Sequence, residues 1–153
     1  YRSLKVRLLA RLTGLSFIVG ALSLIFMILN PMTRTNATLD WQPYTPERLQ
    51  QALEQEQPVL IDFTAAWCLT CQVNKKMVLE KPEIMQALKE ANVFLLRADW
   101  TQHDPTITQA LAEYGCTSIP LVVLYGRNKV PVLMPALLAT DTLLKNLEEL
   151  KKP

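Results

Sequence analysis

The sequence is poor in several residue types, and each scarcity excludes something. Four glycines among 153 residues are far too few for a collagen-like chain. With half of the residues hydrophobic, the composition is not that of a disordered protein either. One histidine and three cysteines leave few metal ligands, and the second close Cys/His pair of a structural zinc site is missing. No internal repeat or low-complexity tract is visible, and the length suits one ordinary domain plus something extra. Most informative is the absence of one charge sign: residues 1–38 contain no acid at all.

The net charge of +2 is therefore the sum of two unlike segments. Residues 1–38 carry Arg2, Lys5, Arg7, Arg11 and Arg34, whereas residues 39–153 hold 11 basic and all 14 acidic side chains and carry −3. From Leu12 to Asn30 the run LTGLSFIVGALSLIFMILN has no charge; at about 1.5 Å per residue it spans roughly 27 Å, close to the hydrocarbon core of a bilayer. A single membrane-spanning helix is the leading reading. A cleaved signal peptide shares the basic start, but this run is longer than the usual apolar region and no small-x-small site follows in PMTRTNATL. A buried core helix would show a polar stripe, and this one is apolar all round. Four basic residues precede the run and Arg34 follows, which places the N-terminus in the cytoplasm and the rest outside, in a bacterium the periplasm. Tyr1 in place of Met predicts a piece of a longer polypeptide, and Ser16 and Gly20 have the spacing of a helix–helix packing pair.

Residues 31–44 are polar and proline-punctuated and read as a linker, followed by a folded domain over 45–153. Thr45-Pro46 opens a helix with Leu49, Ala52 and Leu53 on its apolar face. Val59-Leu60-Ile61-Asp62-Phe63 is a strand buried on both faces. After Cys71 a helical pattern carries Val73, Met77 and Val78, breaks at Lys81-Pro82, and resumes through Ile84, Ala87 and Leu88. Residues 92–99 form a second strand, Asp104-Pro105 opens a helix that stops at Gly115, and Leu121–Tyr125 is a third strand. A turn over 126–129 leads to a strand at 130–134, and Thr140 or Asp141 caps a final helix bearing Leu143, Leu144, Leu147 and Leu150. The order αβαβαββα implies an α/β fold, a mixed sheet flanked by helices.

The chemistry lies in Cys68-Leu69-Thr70-Cys71, between the buried strand and the next helix. Cys68 then stands at a helix N-terminus, where unpaired N–H groups and the helix dipole favour its thiolate. Such a thiolate attacks a partner disulfide, and Cys71, one turn along and more shielded, attacks Cys68 to release the reduced partner. Three other readings compete. A structural disulfide closing so short a loop stabilises little. A metal site would need Cys116 and His103, which form no second close pair. A chance pair of buried thiols suits a cytosolic protein better than one beyond the membrane. Cys116 reads as a small buried hydrophobe, His103 as a solvated loop residue, and Trp41 and Trp100 as packing residues.

Asp62-Phe63-Thr64-Ala65-Ala66-Trp67-Cys68-Leu69-Thr70-Cys71, with Ser118-Ile119-Pro120 much later, resembles the thioredoxin superfamily over about residues 45–152. Within it, the Phe-Thr-Ala-Ala-Trp-Cys-Leu-Thr-Cys stretch, Arg97-Ala98-Asp99-Trp100-Thr101 and the upstream apolar helix most resemble the C-terminal periplasmic domain of DsbD-type thiol:disulfide interchange proteins. The resemblance implies a thioredoxin-like fold and a cis-proline at Pro120 beside the dithiol. The backbone at Ile119 and Pro120 would pair with a bound substrate strand, and Trp67 would shape the surface. Asp62 would be a carboxylate of raised pKa that moves a proton on or off Cys71, against the alternative of an ordinary strand-end Asp bonded to backbone. It also implies no cofactor beyond the Cys68/Cys71 disulfide, an upstream transmembrane or periplasmic redox module as electron donor, and periplasmic disulfide proteins as recipients. Nothing points to nucleic acid. Two departures stand out. Leu69-Thr70 lacks both the Gly-Pro of typical thioredoxins and the His of strongly oxidising members, which leans towards electron donation, and Gln72 replaces a frequent Lys. The rival readings are a stand-alone anchored thioredoxin for a client such as cytochrome maturation, a copper-handling module using the same cysteines, and a redox-inert interaction domain.

Overall fold

In the computed structural model, which describes residues 39–150, the chain runs β1 (Gln42–Pro43), α1 (Pro46–Glu54), β2 (Val59–Thr64) and α2 (Leu69–Asn74), which continues into a π-helical turn (Lys75–Leu79). It goes on through α3 (Pro82–Glu90), β3 (Phe94–Asp99), α4 (Pro105–Glu113), β4 (Leu121–Tyr125), β5 (Pro131–Leu133) and α5 (Thr140–Glu149). The sheet order is β1-β3-β2-β4-β5. β1 and β2 run parallel to β3, while β4 is antiparallel to both β2 and β5. This is the mixed sheet expected from the order of elements.

Central β2 explains the continuous apolar run at 59–63. Side chains alternate across a strand, so Val59, Ile61 and Phe63 enter one core with Leu96, Val123 and Leu111. Leu60 enters the other with Val78, Ile84, Leu124, Leu143 and Leu147. Both faces are covered by helices, hence no polar alternation. The same period of two turns Asp62 to the face of Leu60, the side on which α2 starts.

Local signals account for most boundaries. The Thr45 side chain accepts from the N–H of Arg48, with Pro46 at the first turn of α1. Asp104 accepts from the N–H groups of Thr106 and Ile107 at the start of α4, and Gly115 follows that helix with φ +71°, a conformation that favours glycine. The turn before β5 closes by a 3.0 Å bond from Lys129 N–H to the Gly126 carbonyl.

Three expectations need correction. The folded region begins before Thr45, because Gln42 and Pro43 pair with Leu96 and Arg97 and Tyr44 is in the core; a two-residue strand leaves no periodicity to read. Neither Thr140 nor Asp141 caps α5. Ala139 holds that position without a side-chain bond, and the Thr140 hydroxyl accepts from Lys81 Nζ at 2.9 Å. Finally, Val73 and Met77 are exposed, while Cys71, Asn74, Val78 and Leu79 face inward. These four have the spacing of one helical face, which Val73 and Met77 do not share. The expected membrane helix, Leu12–Asn30, lies outside the described residues, among which no helix is long and apolar enough to cross a membrane.

Candidate active site

β2 ends at Thr64, and the turn Ala65-Ala66-Trp67 delivers Cys68 to the N-cap of α2. Cys68 and Cys71 are joined by a disulfide, S–S 2.00 Å. The N–H of Cys71 donates to Cys68 Sγ at 3.2 Å, so a free donor of the first helical turn already points at the sulfur that would carry negative charge after reduction. Ile119, whose bond to Pro120 is cis, packs against Ala65, Cys68 and Cys71. Residues about fifty positions apart thus meet at the dithiol. Both cysteines are almost fully buried, whereas Trp67 is 54% and Leu69 79% exposed. Two large apolar side chains therefore flank the sulfurs in water.

Beneath the turn, Asp62 is 5% exposed. Burial pushes its carboxyl up from the ordinary 3.8 to about 6, against the opposing pull of Arg97 and, more weakly, Lys75. Water stabilises the ionised form better than the protein interior does, and one cation at a distance only partly compensates. Arg97 Nε lies 3.5 Å from Asp62 Oδ2. A polar cavity of about 220 Å³, lined by Asp62, Thr64, Gln72, Lys75, Arg97 and Asp99 among others, joins this pair to the first turn of α2. Asp62 thus shares a cavity with Ala65 and Ala66 of the turn before Cys68 and with Gln72, the residue after Cys71.

The loop after β3 clamps the turn from the other side. The N–H of Ala66 donates to Thr101 Oγ1 at 2.9 Å, and Trp67 Nε1 donates to the Thr101 carbonyl at 3.2 Å. Thr101 is itself fixed through its hydroxyl and N–H to Asp99 Oδ1. His103 stacks on Trp67, with ring centroids 5.6 Å apart, and meets Trp100 edge-on at 4.6 Å. His103 is thus solvated, as expected, but it also belongs to the aromatic surface beside the dithiol. Cys116 is half-buried against the core, not fully enclosed, and its Sγ faces the Tyr114 carbonyl at 3.7 Å. Among the described residues no group of three or more His, Cys, Asp or Glu side chains could hold a metal ion.

Sequence reasoning named Cys68, Cys71, Asp62, Trp67, Ile119 and Pro120, and missed Arg97, Thr101 and the stacking of His103. A signal for Arg97 existed. Each of the runs VLID and FLLR carries one charged residue at its fourth position, and parallel pairing in that register sets Asp62 beside Arg97.

A family model described as thioredoxin-like matches residues 40–126. The chain is similar to the thiol:disulfide interchange protein DsbD of Pseudomonas sp. (strain JR1 / K1), 32% identical over 102 residues, which cover 66% of this chain and 17% of that protein. It is also similar to DsbD of Campylobacter jejuni (strain RM1221), 23% identical over 103 residues, 67% of this chain and 18% of that protein. The chain thus spans less than a fifth of the length of these relatives. In fold it resembles the C-terminal domain of Neisseria meningitidis DsbD in the reduced form, with a TM-score of 0.57 and 22% identity over 72% of this chain and all of that one. With a disulfide at its CxxC motif, the fold of the DsbD C-terminal domain and a family match over more than half its length, the chain belongs to the thioredoxin-like family.

Proposed function

We propose that the chain is a membrane-anchored, periplasmic thiol:disulfide reductase that takes electrons from a transmembrane redox module and passes them to disulfide-bearing proteins. The observation that carries this reading is the Cys68–Cys71 disulfide at the start of α2, with the Cys71 N–H on Cys68 Sγ and Asp62 buried below. The uncharged run at 12–30 with its basic flank supports the anchor. The similarity to thiol:disulfide interchange proteins supports interchange as the activity.

In the reduced domain the Cys68 thiolate attacks one sulfur of the partner disulfide. A Cys68–partner bond forms and the other partner sulfur leaves as a thiolate. Asp62, ionised, takes the proton of the Cys71 thiol. The Cys71 thiolate then attacks Cys68, breaking the mixed disulfide and expelling the second partner sulfur, and both partner thiolates take up protons. Two electrons have passed to the partner, leaving Cys68–Cys71 oxidised. The upstream module would reduce this bond again by the reverse exchange. Leu69 and Trp67, apolar and exposed, suit a protein substrate because covering them removes apolar surface from water.

Cys71→Ala tests the reading. Without the resolving thiol, Cys68 should accumulate in mixed disulfides, seen on non-reducing gels as high-mass bands that collapse on reduction, and Cys68→Ser should abolish them. Absence of adducts in Cys71→Ala would overturn exchange through Cys68.

A further inference from the structure

One row of side chains crosses three strands on the α2 face of the sheet. Asp62 on β2 is in register with Arg97 on β3, and Arg97 with Pro43 on β1. Trp41, two residues before Pro43, packs into the same core as Leu60, so it lies on that face. The Tyr44 N–H donates to the Arg97 carbonyl at 2.8 Å and fixes the segment against β3. The result is a guanidinium held between an indole and a carboxylate. Arg97 Cζ lies 4.3 Å from the Trp41 ring centroid, and Nε faces Asp62 Oδ2 at 3.5 Å. This Nε is buried and makes no hydrogen bond, so no directional bond there holds the head in place. An indole face attracts a guanidinium, the more so where water is excluded.

We propose that Trp41 is a positioning residue: its ring holds the Arg97 guanidinium against Asp62, so that the segment entering the fold sets the charge facing the proton-exchanging group of the dithiol. The inference rests on the proposed role of Asp62 and deepens it. The groups around Asp62 leave Arg97 as the adjustable one. Lys75, from the π turn, acts more weakly than Arg97 and has its own partner in Glu80 at 3.8 Å. Asp99, further along β3, lines the same cavity but accepts from Thr101. β4 presents only Val122 opposite Asp62. If the indole is removed, the guanidinium is free to turn towards water, and the carboxyl loses the cation that opposes its burial.

The test is the titration of the Asp62 carboxyl in the full chain, followed by carbon-13 NMR of labelled aspartate and assigned by its loss in Asp62→Asn. The second readout is the pH profile of the rate at which Cys71 resolves a Cys68–glutathione mixed disulfide. Trp41→Ala should move the Asp62 midpoint to higher pH by about half a pH unit, a threefold change in proton affinity. Arg97→Met should move it at least as far, and Trp41→Phe, which keeps an aromatic face, should leave it near the wild type. Trp41→Leu serves if the alanine variant does not fold. An unmoved midpoint in a folded Trp41→Ala or Trp41→Leu protein, or an equal shift in Trp41→Phe, overturns the proposal. If the midpoint moves as expected while the resolution profile is unaltered even in Asp62→Asn, Trp41 still positions Arg97 and it is the role of Asp62 in exchange that fails.

Discussion

Replacing Asp62 by Asn should make the oxidised protein more stable at pH 8 and leave it nearly unchanged at pH 4. In the unfolded chain this carboxyl titrates near its ordinary value of 3.8; in the folded protein burial, only partly offset by Arg97, raises it to about 6. Below pH 3.8 both states are protonated, and the neutral carboxyl sits in the interior without penalty. As pH rises through about 6 the folded state must ionise a buried group, and the stability contributed by the neutral form is lost. At 1.36 kcal/mol per pH unit the loss is about 3 kcal/mol. Asn avoids it, and because the value of about 6 already contains the attraction of Arg97, nothing is subtracted for the lost counter-charge. The expected gain is about 3 kcal/mol at pH 8, developing between pH 4 and 6. Urea unfolding of wild type and variant at pH 4, 6 and 8, followed by tryptophan fluorescence, measures it. A variant equally or less stable than the wild type at pH 8, or a difference that does not change with pH, would refute the assignment of Asp62 as a destabilised buried acid.

Two further substitutions test the scaffold under the site. Asn74, 2% exposed, donates to the Ala136 carbonyl at 2.8 Å and accepts from the Leu138 N–H at 3.0 Å, so Asn74→Ala should cost about 2–4 kcal/mol by leaving backbone groups unsatisfied beside a void; a fall in the urea midpoint worth less than about 1 kcal/mol would mean that water replaces both bonds. Gly115 has φ +71° and nothing within 4 Å of an added Cβ, so Gly115→Ala should cost only the conformational term, about 1 kcal/mol, read as a small drop in the thermal midpoint with the oxidised dithiol unaltered.

The parts of this domain that were legible in its sequence are those decided by neighbours along the chain. Thr45-Pro46 and Asp104-Pro105 each carry the acceptor and the preset φ of a helix start within two residues, and Cys68 could be placed at a helix N-terminus because β2 stops four residues before it. The assignment of Asp62 to the dithiol side also follows from local periodicity once Leu60 is given a face. What could not be read depends on strand order. Trp41 meets Arg97 because β1 adds to the sheet beside β3 and not beside β2, a choice made by packing between segments more than fifty residues apart. Thr101 reaches the Ala66 N–H for the same reason, since parallel pairing carries β3 to the height at which β2 turns. The phase of the helix after the dithiol was hidden differently. Val73 and Met77 have helical spacing, but so do Cys71, Asn74, Val78 and Leu79, and Asn74, bonded to the loop at 136–138, is a polar member of the stripe that is buried. A residue pattern can announce a dithiol on a helix; the charge that faces the buried Asp62 is set by which strand lies next to which, and strand order alone brings Arg97 beside it and Trp41 beside Arg97.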